Sequence, residues 1–276
     1  MKILTMADQV RFQRMTTAEI RDMFLLDGLC KPGQINFEYI ELDRAVVGYA
    51  APVEAAIELP TYPELRAEYF LERRELGALN IGGAGTVTVD GKEYELNNLD
   101  VIYVGRGSKK VVFASKDASK PAYFYIMSYP AHMTYPVALV KKEESTPMET
   151  GSLETCNKRT ICKYIHLGGA RSCQLVMGVT HLATGSNWNT MPAHTHVRRS
   201  EIYMYFNMPE SARVFHLMGA PSELRPVVMA DKDIVASPMW SVHSGVGTQA
   251  YSFCWGMGGE NQDYGDMDPA PLATLK

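Results

Sequence analysis

Alternating apolar and polar positions run through most of this chain, and one stretch at helical spacing precedes them. Thr16-Thr-Ala-Glu19-Ile-Arg-Asp-Met-Phe-Leu-Leu26 sets a hydroxyl three residues ahead of a glutamate and then carries apolar residues at a helical period. Thr and Glu so placed satisfy each other's backbone N–H groups, which predicts a helix over residues 16–26, stopped by Asp27-Gly28. From Ile35 the period changes to two. Phe37-Glu-Tyr-Ile-Glu-Leu42 alternates, as does Thr86-Val-Thr-Val89, which runs into Asp90-Gly91. That dipeptide accepts the left-handed backbone of a two-residue hairpin. Val101–Val104, Val111–Phe113 and Tyr123–Met127 follow as strands. Lys141-Lys-Glu-Glu-Ser-Thr-Pro-Met-Glu-Thr-Gly151 is polar and aperiodic and reads as a linker, dividing the chain into residues 1–140 and 152–276. Strand texture returns at residues 163–166, 172–180, 201–206, 212–217, 233–236 and 251–255. Many short strands punctuated by turn residues predict an all-β molecule of barrels or sandwiches with a short N-terminal helix.

Composition narrows the function classes. The chain has 276 residues, 46% hydrophobic and 21% charged, enough apolar content for a substantial core. A formal net charge of −4 gives no electrostatic reason to expect nucleic acid or an anionic membrane as partner. No apolar run reaches membrane-spanning length, and the first residues lack the apolar region of a signal peptide. Cys30, Cys156, Cys162, Cys173 and Cys254 form no Cys-x-x-Cys pair, so they read as reduced thiols of a cytoplasmic protein.

The candidate chemistry lies in Pro192-Ala-His194-Thr-His196-Val-Arg-Arg-Ser-Glu201, answered by Pro238-Met-Trp-Ser-Val-His243. Two histidines two apart on a strand face the same way, and Glu201 rejoins them if the chain bends between. A third imidazole arriving at His243 closes a cluster of three nitrogens and a carboxylate. That set suits Zn, Fe, Mn or Ni and lacks the thiolates of a closed structural zinc site. His-x-His-x4-Glu followed by Pro-x4-His resembles the two metal-binding motifs of the cupin superfamily, and Gly185 precedes the first, as cupins tend to have it.

The two halves also match each other in pattern. Arg73-Arg-Glu75-Leu-Gly-Ala-Leu-Asn80 aligns with Arg199-Ser-Glu201-Ile-Tyr-Met-Tyr-Phe206, and Leu99–Gly105 aligns with Lys232–Pro238. Two tandem cupin-like barrels of jelly-roll type, a bicupin, are therefore expected. On this register the first half offers Glu68, Phe70, Glu75 and Lys110 where the second has His194, His196, Glu201 and His243. Phe cannot ligate and Lys is a poor neighbour for a cation, so one metal per chain is expected, in the second barrel. The first barrel would serve packing or assembly.

Met191-Pro-Ala-His-Thr-His-Val-Arg-Arg-Ser-Glu-Ile-Tyr-Met-Tyr-Phe206, Cys173-Gln-Leu-Val-Met-Gly-Val-Thr180 and Trp255-Gly-Met-Gly-Gly-Glu-Asn-Gln-Asp-Tyr-Gly-Asp-Met-Asp268 together resemble the 5-keto-4-deoxyuronate isomerase family, also called 4-deoxy-L-threo-5-hexosulose-uronate ketol-isomerases. The likeness runs from Arg11-Phe-Gln-Arg-Met15 to the end. It implies a hexameric bicupin of bacterial pectin and uronate breakdown. It further implies a zinc held by residues matching His194, His196, Glu201 and His243. The implied reaction converts 5-dehydro-4-deoxy-D-glucuronate to 3-deoxy-D-glycero-2,5-hexodiulosonate. A redox-inert cation fits that chemistry, because charge develops on oxygen as a carbonyl moves between adjacent carbons.

An enediol route also needs a proton carrier. Glu201, Glu260, Tyr264, Tyr203, Tyr205 and His181 are the candidates; Glu201, Glu260 and Tyr264 are preferred. The substrate carboxylate calls for a cation, best an arginine fork. Arg198 and Arg199 adjoin the metal motif, and Arg171 and Lys163 sit at strand ends. Arg198 and Arg199 are neighbours on a strand, so at most one is expected to point inward. Two other classes share this sequence: an Fe(II) cupin dioxygenase with the same ligands, and a pirin-like regulatory bicupin.

Overall fold

Strand pairing follows the alternation read from the sequence. The computed structural model describes residues 1–260 and 264–276. It forms two compact units: Met1–Leu4 with Gly28–Ser145 and Tyr164–Val176, and Thr5–Asp27 with Thr146–Lys163 and Met177–Lys276. The expected blocks, 1–140 and 152–276, differ from these units in two exchanged segments, the helical stretch near the start and the loop after the strand Arg159–Ile165.

In the first unit a seven-stranded sheet runs Lys2–Leu4, Ile35–Ile40, Ala45–Ala50, Phe124–Pro130, Arg74–Asn80, Val101–Val104 and Ala138–Val140. A four-stranded sheet runs Ile57–Glu58, Val111–Ser115, Gly85–Val89 and Lys92–Leu96. The hairpin between the last two turns at Asp90 and Gly91, with φ of 47° and 87°, the left-handed values the dipeptide promised. Val46, Leu76, Val87, Ile102, Phe113, Phe124 and Ile126 fill the core, with the rings of Phe113 and Phe124 5.2 Å apart. Truncating either ring would cost about 3–5 kcal/mol.

The second unit repeats the order. Its seven-stranded sheet runs Thr146–Thr150, Arg159–Ile165, Val176–Leu182, Ser252–Gly259, Arg199–Phe206, Ile234–Ser237 and Leu25–Leu26. Its four-stranded sheet runs Trp188–Asn189, Val242–Gly247, Val214–Gly219 and Arg225–Met229. Arg74–Asn80 and Arg199–Phe206, matched in the sequence, hold the same place in the two orders. This architecture is mainly β, as expected.

Three expectations need correction. The helix spans Thr17–Phe24, with Thr16 as its cap in the expected reciprocal box. It ends two residues early because Leu25 and Leu26 pair as a strand with Val235 and Ile234. The linker is not structureless: Thr146–Thr150 pairs antiparallel with Lys163–Arg159, as a polar edge strand that tolerates Pro147. Finally, Ser172–Leu175 is not strand; the strand begins at Val176, and the backbone N–H groups of Cys173, Gln174 and Leu175 turn to the Glu75 carboxylate.

Candidate metal centre

The ligand candidates arrive on three strands of the second unit. His194 opens the short strand His194–Thr195, pinned against Asp268–Pro269, and His196 follows it. Glu201 lies in Arg199–Phe206, opposite Met257 on one side and Ser237 on the other. His243 lies in Val242–Gly247, opposite Met218. One ligand atom from each of the four lies within 4.8 Å of every other. His196 Nε2 is 2.8 Å and His243 Nε2 3.1 Å from the same Glu201 oxygen, and the Nε2 atoms of His243 and His194 are 3.0 Å apart.

Backbone carbonyls fix which ring nitrogens face inward. His196 Nδ1 meets the Asp266 carbonyl at 2.5 Å, and His243 Nδ1 meets that of Ser241 at 3.3 Å. That leaves the Nε2 atoms of both rings pointing at the Glu201 carboxylate and, for His243, also at His194. Burial and the neighbouring His243 push His194 down to about 3, so its imidazole is neutral. Burial alone would raise the Glu201 carboxyl, but the imidazoles of His243 and His196 hold it well below the usual range. Three imidazole nitrogens converging on one buried carboxylate offer a divalent cation four donor atoms in place of those hydrogen bonds. The four residues therefore fit a divalent metal, and the site can hold one. Among the described residues this is the one such group.

Behind the ligands lies a bonded aromatic layer. Tyr203 Oη bonds Thr190 Oγ1 at 2.9 Å, with its ring 5.6 Å from that of His243. Tyr205 Oη meets His216 Nδ1 at 2.8 Å, and burial pushes His216 down to about 3. Both tyrosines and His216 are buried. His181 Nδ1 meets Ser252 Oγ at 2.8 Å and does not line the cavity described next.

A cavity of about 230 Å³ opens onto His194, His196 and Glu201. Its other walls include Arg159, Thr180, Trp255 and Tyr264. The indole of Trp255 donates to Thr180 at 3.0 Å and rests against Gly178, where a Cβ would lie 2.2 Å from the ring. Burial and the Glu201 charge push the Tyr264 phenol up to about 12.

The candidate residues scatter around this cavity. Tyr264 and Arg199 line it; Glu260, Arg198, Lys163 and Arg171 do not. Arg198 and Glu260 are exposed and bond each other at 2.6 and 2.9 Å, on the outward side that strand alternation requires once Arg199 turns inward. Arg199 is buried, and its guanidinium donates to the carbonyls of Tyr264 and Asp266 at 3.3 and 3.1 Å. It thus clamps the chain segment that also orients His196. Lys163 carries its ammonium 5.0 Å over the Tyr264 ring. Arg171 is exposed and belongs to the first unit. Asn261 and Gln262 of the C-terminal motif lie outside the described residues. The cation that sequence reasoning missed is Arg159, and strand periodicity held the signal. Arg159, Ile161 and Lys163 share one face, and the first two line the cavity.

Comparison with known proteins agrees with this geometry. The KduI/IolB family profile matches residues 44–270. The chain is 52% identical over 276 residues, all of both chains, to the 4-deoxy-L-threo-5-hexosulose-uronate ketol-isomerase of Lachnoclostridium phytofermentans. It is 49% identical over 262 residues, 94% of each chain, to the protein of that name from Escherichia coli. Among solved structures it is similar in fold to an IolB-like protein of Salmonella typhimurium, with a TM-score of 0.70, 14% identity, and 87% and 94% of the two chains covered. Oxalate decarboxylase of Bacillus subtilis is also similar in fold, with a TM-score of 0.55, 11% identity, and 80% and 70% covered.

Proposed function

The chain belongs to the KduI/IolB family, and from that premise we propose that it is a zinc-dependent ketol isomerase. Its reaction would convert 5-dehydro-4-deoxy-D-glucuronate to 3-deoxy-D-glycero-2,5-hexodiulosonate in the breakdown of pectin-derived uronates. The observation that carries this reading is the convergence of His194, His196, Glu201 and His243 beside a cavity that also holds arginine and tyrosine side chains.

Zinc held by these four residues would supply Lewis acidity toward the substrate's carbonyl. The chain's own groups do the rest. The carbonyls of Asp266 and Ser241 hold two of the imidazoles in their ligating tautomer. Glu201 stays anionic at neutral pH and balances the cation's charge. Tyr264 keeps its proton across the neutral range, so its hydroxyl can donate to the substrate oxygen on which charge develops. Glu260 is tied to Arg198 at the surface, and Tyr264 is the one of the three preferred proton carriers that lines the cavity without also being a ligand candidate. Phe253, Trp255 and Met257 supply an apolar wall against which the carbon chain of the sugar can pack.

The first half, residues 1–140, is assigned to packing and assembly, and the second, 152–276, to the one zinc per chain. We take the protein to be a cytoplasmic homohexamer. Among the described residues no helix is long and apolar enough to cross a membrane, and none of the five cysteines forms a disulfide. Phe215 and Val228, register partners on neighbouring strands, are both exposed, an apolar pair of the kind assembly covers. The test is turnover: zinc-loaded protein incubated with 5-dehydro-4-deoxy-D-glucuronate is followed by NMR. Isomerised product without oxygen uptake is expected. Oxygen consumption would favour a dioxygenase, and no turnover by metal-replete protein would leave a binding protein.

A further inference from the structure

We infer that Arg159 is the receptor for the substrate's carboxylate and thereby sets the enzyme's preference for acid over neutral sugars. The inference rests on the uronate reading above and names the residue of that site which recognises the charge. Two arginines line the cavity, Arg159 and Arg199. Arg199 is buried with one amino group on the Tyr264 and Asp266 carbonyls and its Nε 3.3 Å from the His196 ring, so it holds the wall and has little left to offer a ligand. Arg159 is half-buried at the start of the strand Arg159–Ile165, and one amino group donates to the Asn157 carbonyl at 2.8 Å. That bond anchors one corner of the fork. An arginine carries five N–H donors, so others remain for a planar acceptor.

The surroundings suit an anion. Burial lowers the Arg159 pKa from its usual value, with Tyr264 acting in the opposite sense, and the guanidinium stays charged. Tyr264 lines the same cavity as His194, His196, Glu201 and both arginines, so its phenol shares that space with the ligands and the two guanidinium groups. A six-carbon chain with its carbonyl end toward the ligand cluster has its acid end free to meet a cation elsewhere in the same cavity. Lys163, on the same strand face, leans on the Tyr264 ring and adds positive potential from outside. An anion shielded from water gains more from a bidentate fork than from a solvated ammonium.

The test is binding first and turnover second. Zinc-loaded wild type, Arg159→Gln and Arg159→Lys are titrated calorimetrically with D-glucuronate and with D-glucuronamide, which keeps the hydroxyls and loses the charge. Wild type is expected to prefer the acid. Arg159→Gln should bind the acid roughly 10- to 100-fold more weakly and the amide unchanged, as loss of a charged hydrogen-bonded pair implies. Arg159→Lys should fall between, and it keeps the test decisive if the Gln variant melts. Equal weakening for acid and amide, or a wild type blind to the difference, overturns the inference. Turnover separates the two readings. In the isomerase assay, Arg159→Gln should raise KM for the uronate by a similar factor with a smaller change in kcat. A wild type that discriminates acid from amide but isomerises nothing would keep Arg159 as the receptor and remove the isomerase assignment.

Discussion

Glu75 and Glu201 occupy the same strand of the same sheet order, one in each unit, and both carboxylates are buried. Their partners differ in kind. Glu75 accepts four hydrogen bonds: from Tyr103 Oη at 2.9 Å, and from the N–H groups of Cys173, Gln174 and Leu175 at 2.6, 2.9 and 2.9 Å. Glu201 faces the imidazoles of His196 and His243. A buried anion must be met by donors or by a cation. In the first unit the main chain supplies the donors, and the glutamate becomes an anchor for a loop. In the second, imidazole nitrogens surround it, and the four groups together can hold a metal. The remaining aligned positions part in the same way. Phe70 packs 5.6 Å from Phe37 in the core, Glu68 is exposed, and Lys110 makes an exposed ion pair with Glu58 at 3.3 Å.

The largest effect that can break this contrast is on the metal. His194→Ala/His243→Ala should lower bound zinc from about one per chain to near zero, and isomerisation should fall by about 10³-fold or more. Its melt should stay within about 4 °C of metal-free wild type, since apolar strands hold the barrel. Elemental analysis with differential scanning calorimetry reads both. Retained zinc would mean that the ligand assignment is wrong.

Glu75 should behave in the opposite sense. Glu75→Leu leaves three main-chain N–H groups without their acceptor, a loss of about 3–5 kcal/mol. That corresponds to a melting temperature lower by roughly 10 °C. Zinc content should be unchanged. Thermal melting beside metal analysis decides, and a variant that melts like wild type would show that the four bonds do not anchor the loop.

The aligned aspartates extend the comparison to pH. Asp100 accepts from Asn97 N at 2.8 Å and pairs with Lys141 at 3.0 Å. Asp233 accepts from Ala230 N at 2.7 Å, but burial, with Asp27 adding to it, pushes its carboxyl up to about 6. A folded pKa above the unfolded value near 3.8 favours the folded state at low pH, and that stability is lost as pH rises through about 6. Wild type should therefore melt higher at pH 5 than at pH 7.5 relative to Asp233→Asn, by about 1 kcal/mol after allowing for partial exposure. Melting curves of the two proteins across that window give the difference. Parallel curves would remove Asp233 from the pH response.

Local signals made much of this legible from the chain. The Asp90-Gly91 turn, the strand Val101–Val104 and the capping box at Thr16 need only neighbours in sequence. The cluster of His194, His196, Glu201 and His243 was legible because His-x-His-x4-Glu and Pro-x4-His are two short local patterns. What was not legible depends on partners distant in sequence. Leu25 and Leu26 continue the helical period, yet a strand partner more than two hundred residues away captures them. Nothing in Cys173-Gln-Leu175 marks it as a cap for Glu75, because backbone N–H groups carry no sequence signature. Arg159 went unselected because it lies far from the metal motif in sequence, although its period-two relation to Lys163 was available.

The smallest expected effect concerns Arg198. Its ion pair with Glu260 has an N···O distance of 2.6 Å, with side chains 53% and 69% exposed. The Lys110–Glu58 pair of the first unit is similarly exposed, at 63% and 59%. Such pairs gain little, because water screens the charges and two long side chains lose freedom to meet. Arg198→Ala should accordingly move the melt by no more than about 2 °C, as should Lys110→Ala. Their equality would say that the two units differ in their buried clusters and not in these surface charges. Kinetics sharpens the point. Arg198 adjoins the metal motif, yet its neighbour Arg199 takes the inward direction on the strand, so the uronate KM of Arg198→Ala should stay within about twofold of wild type. A tenfold rise in KM confined to the acid substrate would bring Arg198 into the site. The surface pair would then be a resting contact broken by the ligand, and the carboxylate would be shared between Arg198 and Arg159.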